Sequence, residues 1–266
     1  MPKISVIMGI YNGTETMDEA IESICKQSYQ DWELIICDDC SQDKTLEKAK
    51  IWENRESRIK VIKNVKNQGL AATLNHCLRE ASGEYIARMD DDDISYPNRF
   101  EKQVDFLDKN QEYDFVSSLV DCYDGSEIVR NRFWRKERPE KKDFLKGTQF
   151  VHPATMFRIQ CLIAVDGYCE AKMTKRTEDY DLFMRLYAAG YKGYNIQTPL
   201  LRYTVNVESM KKKGEYKYRI NEAKVRFFGF KNLGLFPLGL IFIIRPLIVG
   251  LVPKQVIWKL FYKRKK

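Results

Sequence analysis

Three acidic groups are the residues of this chain best suited to chemistry: the pair Asp38-Asp39, the run Asp90-Asp91-Asp92-Asp93, and the pair Glu178-Asp179. Like charges at short range repel, and a divalent cation with oxygen ligands relieves the repulsion. Mg²⁺ and Mn²⁺ suit carboxylate and phosphate oxygens; such an ion takes one or two carboxylates and fills its shell with substrate phosphates and water. An isolated acidic quartet is also what a solvated turn looks like. The surroundings of this one favour the ion, because an apolar run at residues 85–89 leads straight into it and Pro97 opens a helix behind it. Neither GxxxxGK[ST] nor GxGxxG occurs, so the two commonest phosphate-binding loops are absent. Glu178-Asp179 follows Thr177, a capping residue type, and begins a helical pattern that turns Leu182, Phe183 and Leu186 inward and ends at Gly190. Acids in a first turn either oppose the helix dipole or supply a general base, and the pair alone leaves both open.

The other reactive side chains stand singly. His152 precedes Pro153 and a strand-like segment at 154–157; a lone histidine is more often structural than a ligand, with an acceptor-side contact as its alternative role. His76 lies on the polar side of a helical pattern and is assigned no role. Cys37 and Cys40 form a C-x-x-C, but no second pair of similar spacing completes a zinc site. Seven cysteines in no framework spacing suit a reducing compartment.

Positioning the acids falls to an alternation of strands and helices. The apolar run 4–10 ends at Tyr11-Asn12-Gly13, which reads as a strand followed by a turn. Met17, Ala20, Ile21 and Ile24 recur at helical spacing, with Thr16 placed to cap. Further strands are predicted at 33–37, 59–62 and 85–89. Further helices are predicted at 43–52, from Gly69 with Leu70, Leu74 and Leu78 on one face, and from Pro97 with Phe100, Val104 and Leu107 buried. This alternation implies an α/β fold, a parallel sheet with helices on both faces. Ligands in open α/β sheets sit beyond the carboxyl ends of the strands, and Tyr11-Asn12, Asp38-Asp39 and the aspartate run all fall at such ends.

Across roughly residues 3–205 the motifs are those of a known family. They stand as Ser5-Val6-Ile7-Met8-Gly9-Ile10-Tyr11-Asn12, Ile35-Ile36-Cys37-Asp38-Asp39-Cys40-Ser41, and Asn67-Gln68-Gly69 with Asn75. They continue as Gly83-Glu84-Tyr85-Ile86-Ala87-Arg88-Met89 running into Asp90 to Asp93, and as Thr177-Glu178-Asp179-Tyr180-Asp181-Leu182. In order and spacing the chain resembles the inverting family-2 glycosyltransferases of GT-A fold, of the type that builds bacterial O-antigen and capsular polysaccharide. The resemblance implies a Rossmann-like, mostly parallel sheet flanked by helices. It implies that Asp39 hydrogen-bonds the donor base and that Tyr11 lines its pocket. Asp90 and Asp92 would hold Mn²⁺ or Mg²⁺ on the donor diphosphate, with Asp91 near the ribose. The family pattern makes Asp179 the base that takes the proton from the acceptor hydroxyl, and leaves Glu178 to orient its neighbours or contact the acceptor. Cys40 stands where the family usually has glycine, and the Gln-x-x-Arg-Trp signature of processive members is missing, which favours one sugar per encounter. The donor implied is a UDP-hexose, glucose or galactose. A sugar nucleotidyltransferase is an alternative, although the loop 9–13 lacks the cations that would hold a triphosphate; a non-catalytic, cation-binding membrane scaffold is another.

The charge is unevenly spread. From residue 211 to 266 there are 15 Lys/Arg against 2 Asp/Glu, a net +13, so residues 1–210 carry −5 of the chain's +8. This divides the chain into a catalytic domain at 1–210, with a nucleotide-binding half at about 1–95 and an acceptor half at about 96–210, and a basic, apolar segment at 211–266. Residues 233–252 are long enough to span a bilayer, yet Pro237, Pro246 and Arg245 interrupt them and both flanks are positive. A helical segment lying in the interface keeps both flanks on the anionic leaflet. Nucleic acid suits this segment poorly, because its apolar interior is too long. With no signal peptide at its start, the chain is expected as a peripheral or monotopic protein on the cytoplasmic face of the inner (plasma) membrane, acting on a lipid-linked acceptor such as undecaprenyl-diphosphate-linked GlcNAc.

Overall fold

The computed structural model describes residues 1–129, 135–205 and 215–251. Its centre is four parallel strands whose Ile- and Val-rich sequences suit a sheet buried on both faces. β1 (Ile4–Ile10) pairs with β2 (Trp32–Asp38) on one side, and β2 pairs in turn with β3 (Ile59–Lys63). On its other side β1 pairs with β4 (Tyr85–Arg88). Ile10 lies opposite Asp38 and Asp38 opposite Lys63, so the strand ends that carry the polar motifs share one rim.

Period-two alternation sends the side chains of these strands into two cores. Val6, Met8, Leu34 and Ala87 pack with α1 (Met17–Cys25), α2 (Thr45–Arg55) and α4 (Arg99–Lys109), where Phe100, Val104 and Leu107 are buried. Ile7, Ile35, Cys37 and Ile86 pack on the opposite face with α3 (Leu70–Glu80), α5 (Ile159–Ala164) and α6 (Glu178–Ala188). Helices therefore cover both faces.

The sheet is mostly parallel, as expected, with antiparallel strands in its second half. β8 (Met156–Arg158) inserts antiparallel between β4 and β6 (Phe115–Tyr123). The long β9 (Gly193–Thr204) runs parallel to β6, and the two-residue β5 (Ile94–Ser95) closes the far edge antiparallel to β9. β7 (Ile128–Val129) forms a hairpin on β6. Through β5 and β9 the sheet returns to the loop just after the aspartate run.

Thr16 and Thr177 occupy the N-cap positions of α1 and α6, but neither makes a capping side-chain hydrogen bond. The Thr177 hydroxyl donates instead to the Thr174 carbonyl at 3.1 Å. α7 (Tyr216–Asn232) docks on α6. There the Arg226 guanidinium lies 5.2 Å over the Tyr180 ring, donates to the Leu145 carbonyl at 3.0 Å, and pairs with Glu222 at 2.9 Å. The apolar stretch that could have spanned a membrane is not one helix. α7 ends at Asn232, a turn containing Gly234 at φ +72° and Pro237 follows, and α8 (Leu240–Leu251) begins anew. Among the described residues no helix is long and apolar enough to cross a membrane. The basic residues beyond 252 lie outside the described residues.

Candidate active site

The turn after β1 and the start of α2 build one wall of a cavity of about 620 Å³, lined by Tyr11, Asn12, Gly13, Thr14, Asp43, Lys44, Asp91 and Asp92 among others. Asn12 adopts φ +53°, which lets its backbone N–H reach the Ser41 hydroxyl (3.0 Å) and its Oδ1 accept from the Gln42 N–H (2.9 Å). The Gly13 N–H donates to the Thr45 hydroxyl at 2.9 Å, and the Thr14 hydroxyl to Asp43 Oδ2 at 2.6 Å. Slight burial raises the Asp43 pKa, but the hydroxyls of Thr14 and Thr45 and the Thr45 N–H outweigh it and hold the carboxyl at about 2. The Tyr11 ring remains half-exposed at the cavity edge, 47% accessible.

Asp39 is buried at the end of β2 and its carboxylate organises the neighbouring loop. Oδ1 accepts from the Gln68 N–H (2.8 Å) and Asn64 Nδ2 (2.9 Å), and Oδ2 accepts from the Gly69 N–H (2.8 Å). Asn64 also donates to the Thr73 hydroxyl at 3.0 Å, and its Oδ1 lies 2.9 Å from His76 Nδ1 and 3.6 Å from Cys37 Sγ. His76, without a role on the sequence alone, thus orients the amide that orients Asp39. Only its place beside residue 64, twelve positions away across a loop, could have signalled this.

The aspartate run leaves β4 as a tight loop. Asp90, Asp92 and Asp93 each bring one carboxylate oxygen within 4.8 Å of the others. Buried Arg88 donates from Nη2 to Asp90 at 2.5 Å, while Asp93 Oδ1 accepts from the Thr204 N–H of β9 at 2.8 Å. Among the described residues Asp93 Oδ2 is buried without a hydrogen-bond partner, and so are Arg88 Nε and Nη1. Burial, then repulsion from Asp90, pushes Asp92 to about 6; burial, then Asp90 and Asp92, pushes Asp93 well above the usual carboxylate range. An oxygen-only set of crowded, partly unsatisfied carboxylates fits a hard divalent cation. Asp93, which the sequence reading left out of the expected ion site, lies in one cluster with Asp90 and Asp92. Asp91 turns the other way, toward Gly13 and the cavity, and burial followed by Asp92 and Asp90 pushes it to about 7.

Across the cleft Asp179 and Glu178 open α6, half-buried, and Asp179 Oδ1 accepts from the adjacent Tyr180 N–H at 2.8 Å. Two residues that carried no sequence signal lie near these acids. Tyr203 of β9 has its phenol pushed up by burial first, then by Asp90, Asp93, Asp92 and Asp179, which places its ring within the field of both clusters. Half-buried Arg135 has its pKa lowered by burial against an opposing lift from Asp179. His152 is buried with Nε2 2.8 Å from the Tyr168 hydroxyl, and that phenol feels Arg88, Asp179, Glu178 and Asp90. Tyr168 is itself clamped. Asn75 exchanges two 2.8 Å hydrogen bonds with its backbone, and Arg185 donates to the Val165 (2.6 Å) and Gly167 (2.8 Å) carbonyls while pairing with Asp181.

A carboxylate triad at the carboxyl rim of such a sheet, facing acids at a helix start, defines a glycosyltransferase of GT-A type. Residues 5–165 match the family described as Glycosyl transferase family 2, and the chain belongs to that family. EpsE of Bacillus subtilis strain 168, which bears a glycosyltransferase name, is 42% identical over 264 residues, covering 99% of this chain and 94% of that protein. The Escherichia coli UDP-Gal:alpha-D-GlcNAc-diphosphoundecaprenol beta-1,3-galactosyltransferase is 32% identical over 236 residues, 86% of this chain and 84% of that one. Among solved structures, Staphylococcus aureus TarS 1–349 in complex with UDP-GlcNAc superposes with a TM-score of 0.73 at 20% identity, over 99% of this chain and 77% of that chain. Family membership removes the nucleotidyltransferase and scaffold alternatives.

Proposed function

We propose that this glycosyltransferase moves a single hexose, galactose or glucose, from a UDP-sugar to GlcNAc on an undecaprenyl-diphosphate acceptor, with inversion at the anomeric carbon. The observation that carries the reading is the cluster of Asp90, Asp92 and Asp93 oxygens just beyond the end of β4, with Asp179 at the start of α6 acting electrostatically on the same Tyr203 phenol. The galactosyltransferase relative supports the choice of donor and acceptor. Tyr11 lines the pocket for the base. Asp39, with three of its carboxylate lone pairs already engaged, keeps one acceptor site for a hydrogen bond from it. Asp91, beside Gly13, faces the ribose. Asp90 and Asp92, joined by Asp93, hold Mn²⁺ or Mg²⁺, which supplies neutralisation of the charge developing on the departing diphosphate. Asp179 accepts the proton of the attacking hydroxyl from the face opposite the leaving nucleotide. Glu178 and the His152–Tyr168 pair border the acceptor.

In this reading residues 1–210 form the catalytic unit, with a donor half at about 1–95 and an acceptor half at about 96–210, and the segment 211–266 is its membrane contact. α8 turns Ile241, Ile244, Ile248 and Leu251 outward at helical spacing, 79, 50, 59 and 72% exposed, where a helix facing water would carry polar groups. An anionic bilayer on the cytoplasmic face accepts this apolar face and the surrounding lysines, without a spanning helix. A panel of nucleotide sugars with Mn²⁺, assayed against lipid-diphosphate-linked GlcNAc, tests the reaction. UDP-galactose or UDP-glucose is expected to react, and transfer that persists in both Asp92→Asn and Asp179→Asn would refute the residue assignments.

A further inference from the structure

Between the acids of α6 and the apolar helix α8 lies a group of cations that the transfer step does not use. Lys172, Lys175 and Arg176 fall within five residues and end just before Glu178 and Asp179. The turn that carries them is fixed from beneath. Buried Thr174 donates its hydroxyl to the carbonyls of Cys169 (2.6 Å) and Ala171 (2.8 Å), which leaves Lys172 and Lys175 exposed on the outside. Arg176 is held at φ +73°, a left-handed conformation that a long side chain adopts only under constraint, and such strain gathers where a side chain's direction matters. Its guanidinium lies 5.8 Å from the centre of the Tyr218 ring, and Lys217 Nζ lies 4.9 Å from the same ring. The loop before α6 and the first turn of α7 therefore each bring one cation, Arg176 and Lys217, to the same tyrosine. Asn221, one turn further on, ties the two segments by donating to the Lys172 carbonyl at 3.2 Å. Glu215, paired with Lys217 at 2.7 Å, is the acid nearest that cation.

The same end of α7 touches α8. A β-carbon on Gly250 would meet the Tyr216 ring at 2.9 Å and the Arg219 side chain at 3.0 Å, so the two helices are in close contact there. Contacts thus run in one series from Asp179, through the cations, to the helix whose outer face is Ile241, Ile244, Ile248 and Leu251. An acceptor sugar whose hydroxyl reaches Asp179 while its lipid stays in a bilayer must pass its phosphates through this interval. Phosphate oxygens are bound by guanidinium and ammonium groups through charge-assisted hydrogen bonds. We propose that Lys172, Lys175, Arg176 and Lys217 form the binding site for the diphosphate that links the acceptor sugar to its lipid. This rests on the reading that the acceptor is lipid-borne.

The test is cosedimentation of the full chain, with its donor site filled by UDP and Mn²⁺ so that no second diphosphate enters there. Phosphatidylcholine vesicles carry either a polyprenyl diphosphate or enough phosphatidylglycerol to match its surface charge. The wild type should bind the diphosphate vesicles at least tenfold more tightly than the phosphatidylglycerol ones. The double variant Lys172→Ala, Lys175→Ala should lose that preference while its UDP affinity, which reports an intact donor half, is kept. If the double variant does not fold, Lys172→Gln is read in the same way and should lose about half of the preference on a logarithmic scale. Equal binding to both charged vesicles, no binding to either, or a preference that survives the substitution overturns the proposal. No transfer is needed for this readout. A protein that prefers the diphosphate vesicles yet fails to glycosylate any lipid acceptor would retain the site and lose only the proposed reaction.

Discussion

Replacing Gly13 with alanine separates the geometry of the donor pocket from the stability of the fold. A β-carbon on Gly13 would fall inside the van der Waals envelope of Asp91 Oδ2 and 3.3 Å from its carboxyl carbon. Carbon–carbon contacts settle at ~3.5–4.0 Å and the oxygen overlap is more severe, so the carboxylate has to withdraw by about 1 Å. Gly13 does not have a left-handed backbone, so alanine adds no strain there. It also gains ~0.4–1 kcal/mol by restricting the unfolded chain. Against that gain stands the cost of moving one carboxylate off its rotamer, ~0.5–1.5 kcal/mol. The two nearly cancel, and the melting temperature should move by less than about 3 °C. The catalytic consequence is larger. If Asp91 faces the ribose, a 1 Å displacement costs on the order of 100-fold in kcat/KM, expressed in the KM for the nucleotide sugar. Thermal melts and initial rates with varied UDP-sugar measure both quantities on one preparation. A kcat/KM within threefold of wild type would mean that Asp91 does not face the donor. A melting temperature lowered by more than about 8 °C would mean that its side chain is not free to give way.

Three further substitutions probe other parts of the site. Asp179→Asn keeps an oxygen for the Tyr180 N–H but cannot take a proton, so kcat should fall by ~10²–10⁴ while UDP affinity, measured by calorimetry, is unchanged. Asp39→Asn forces an amide donor against either the Gly69 N–H or the Gln68 N–H and Asn64 amide; a loss of about 2 kcal/mol, or about 4–8 °C in a melt, is expected along with a higher donor KM. Asp43, held at about 2 in the folded protein and near ~3.9 when unfolded, contributes stability that is present above the unfolded value and lost as pH falls through 4 toward 2. The melting deficit of Asp43→Asn, read at a series of pH values, should therefore be full at pH 7 and shrink below pH 4; a deficit that grows on acidification contradicts the hydrogen bonds described.

The parts of this structure that were legible in the sequence are those that local pattern determines. The apolar run through residues 4–10 gave β1 at its observed bounds, and the spacing of Phe100, Val104 and Leu107 gave the buried face of α4. Pairing between distant segments left no such trace. β8 is three residues long, and its antiparallel insertion between β4 and β6 depends on partners about 40 to 70 positions away, so local pattern did not place it within a sheet expected to be mostly parallel. The same distance hid Tyr203 and Arg135, which come near the acids from segments with no motif. The capping rule found the right position for Thr177 but not the bond, because the Thr174 carbonyl competes for its hydroxyl. Asp93 was visible as one of four acids. That it turns toward the ion site follows only from the Thr204 N–H, supplied by a strand more than a hundred residues later.

Two buried arginines explain how the chain holds so many carboxylates in one loop, and why that support should not be read as stability. Arg99 is wholly buried, donates from Nη2 to the Arg88 carbonyl at 2.7 Å and from Nε to Gln103 at 3.0 Å, and has no ion pair among the described residues. Burial pushes its pKa down to about 9 despite the opposing pull of Asp93, so desolvation outweighs the attraction. Arg88 reaches Asp90 with one nitrogen and leaves two donors unsatisfied. For Arg99 a buried charge with so few partners costs more than it returns, and apolar replacements of similar volume often fold as well or better; for Arg88 burial lowers the pKa, but the pull of Asp90 and its neighbours wins and raises it. What the pair supplies is geometry. Arg99 fixes the carbonyl of the last residue of β4, and Arg88 fixes the first aspartate beyond it, so the loop leaves the sheet in one defined direction. From that start successive aspartates point different ways: Asp90 to the guanidinium, Asp91 to Gly13, and Asp93 to β9. The four acids are therefore not one pool of charge. Three are gathered in one cluster and one is set against the cavity beside Gly13, a division that consecutive identical residues acquire because buried cations hold the strand end beneath them and β9 holds Asp93 from the far side.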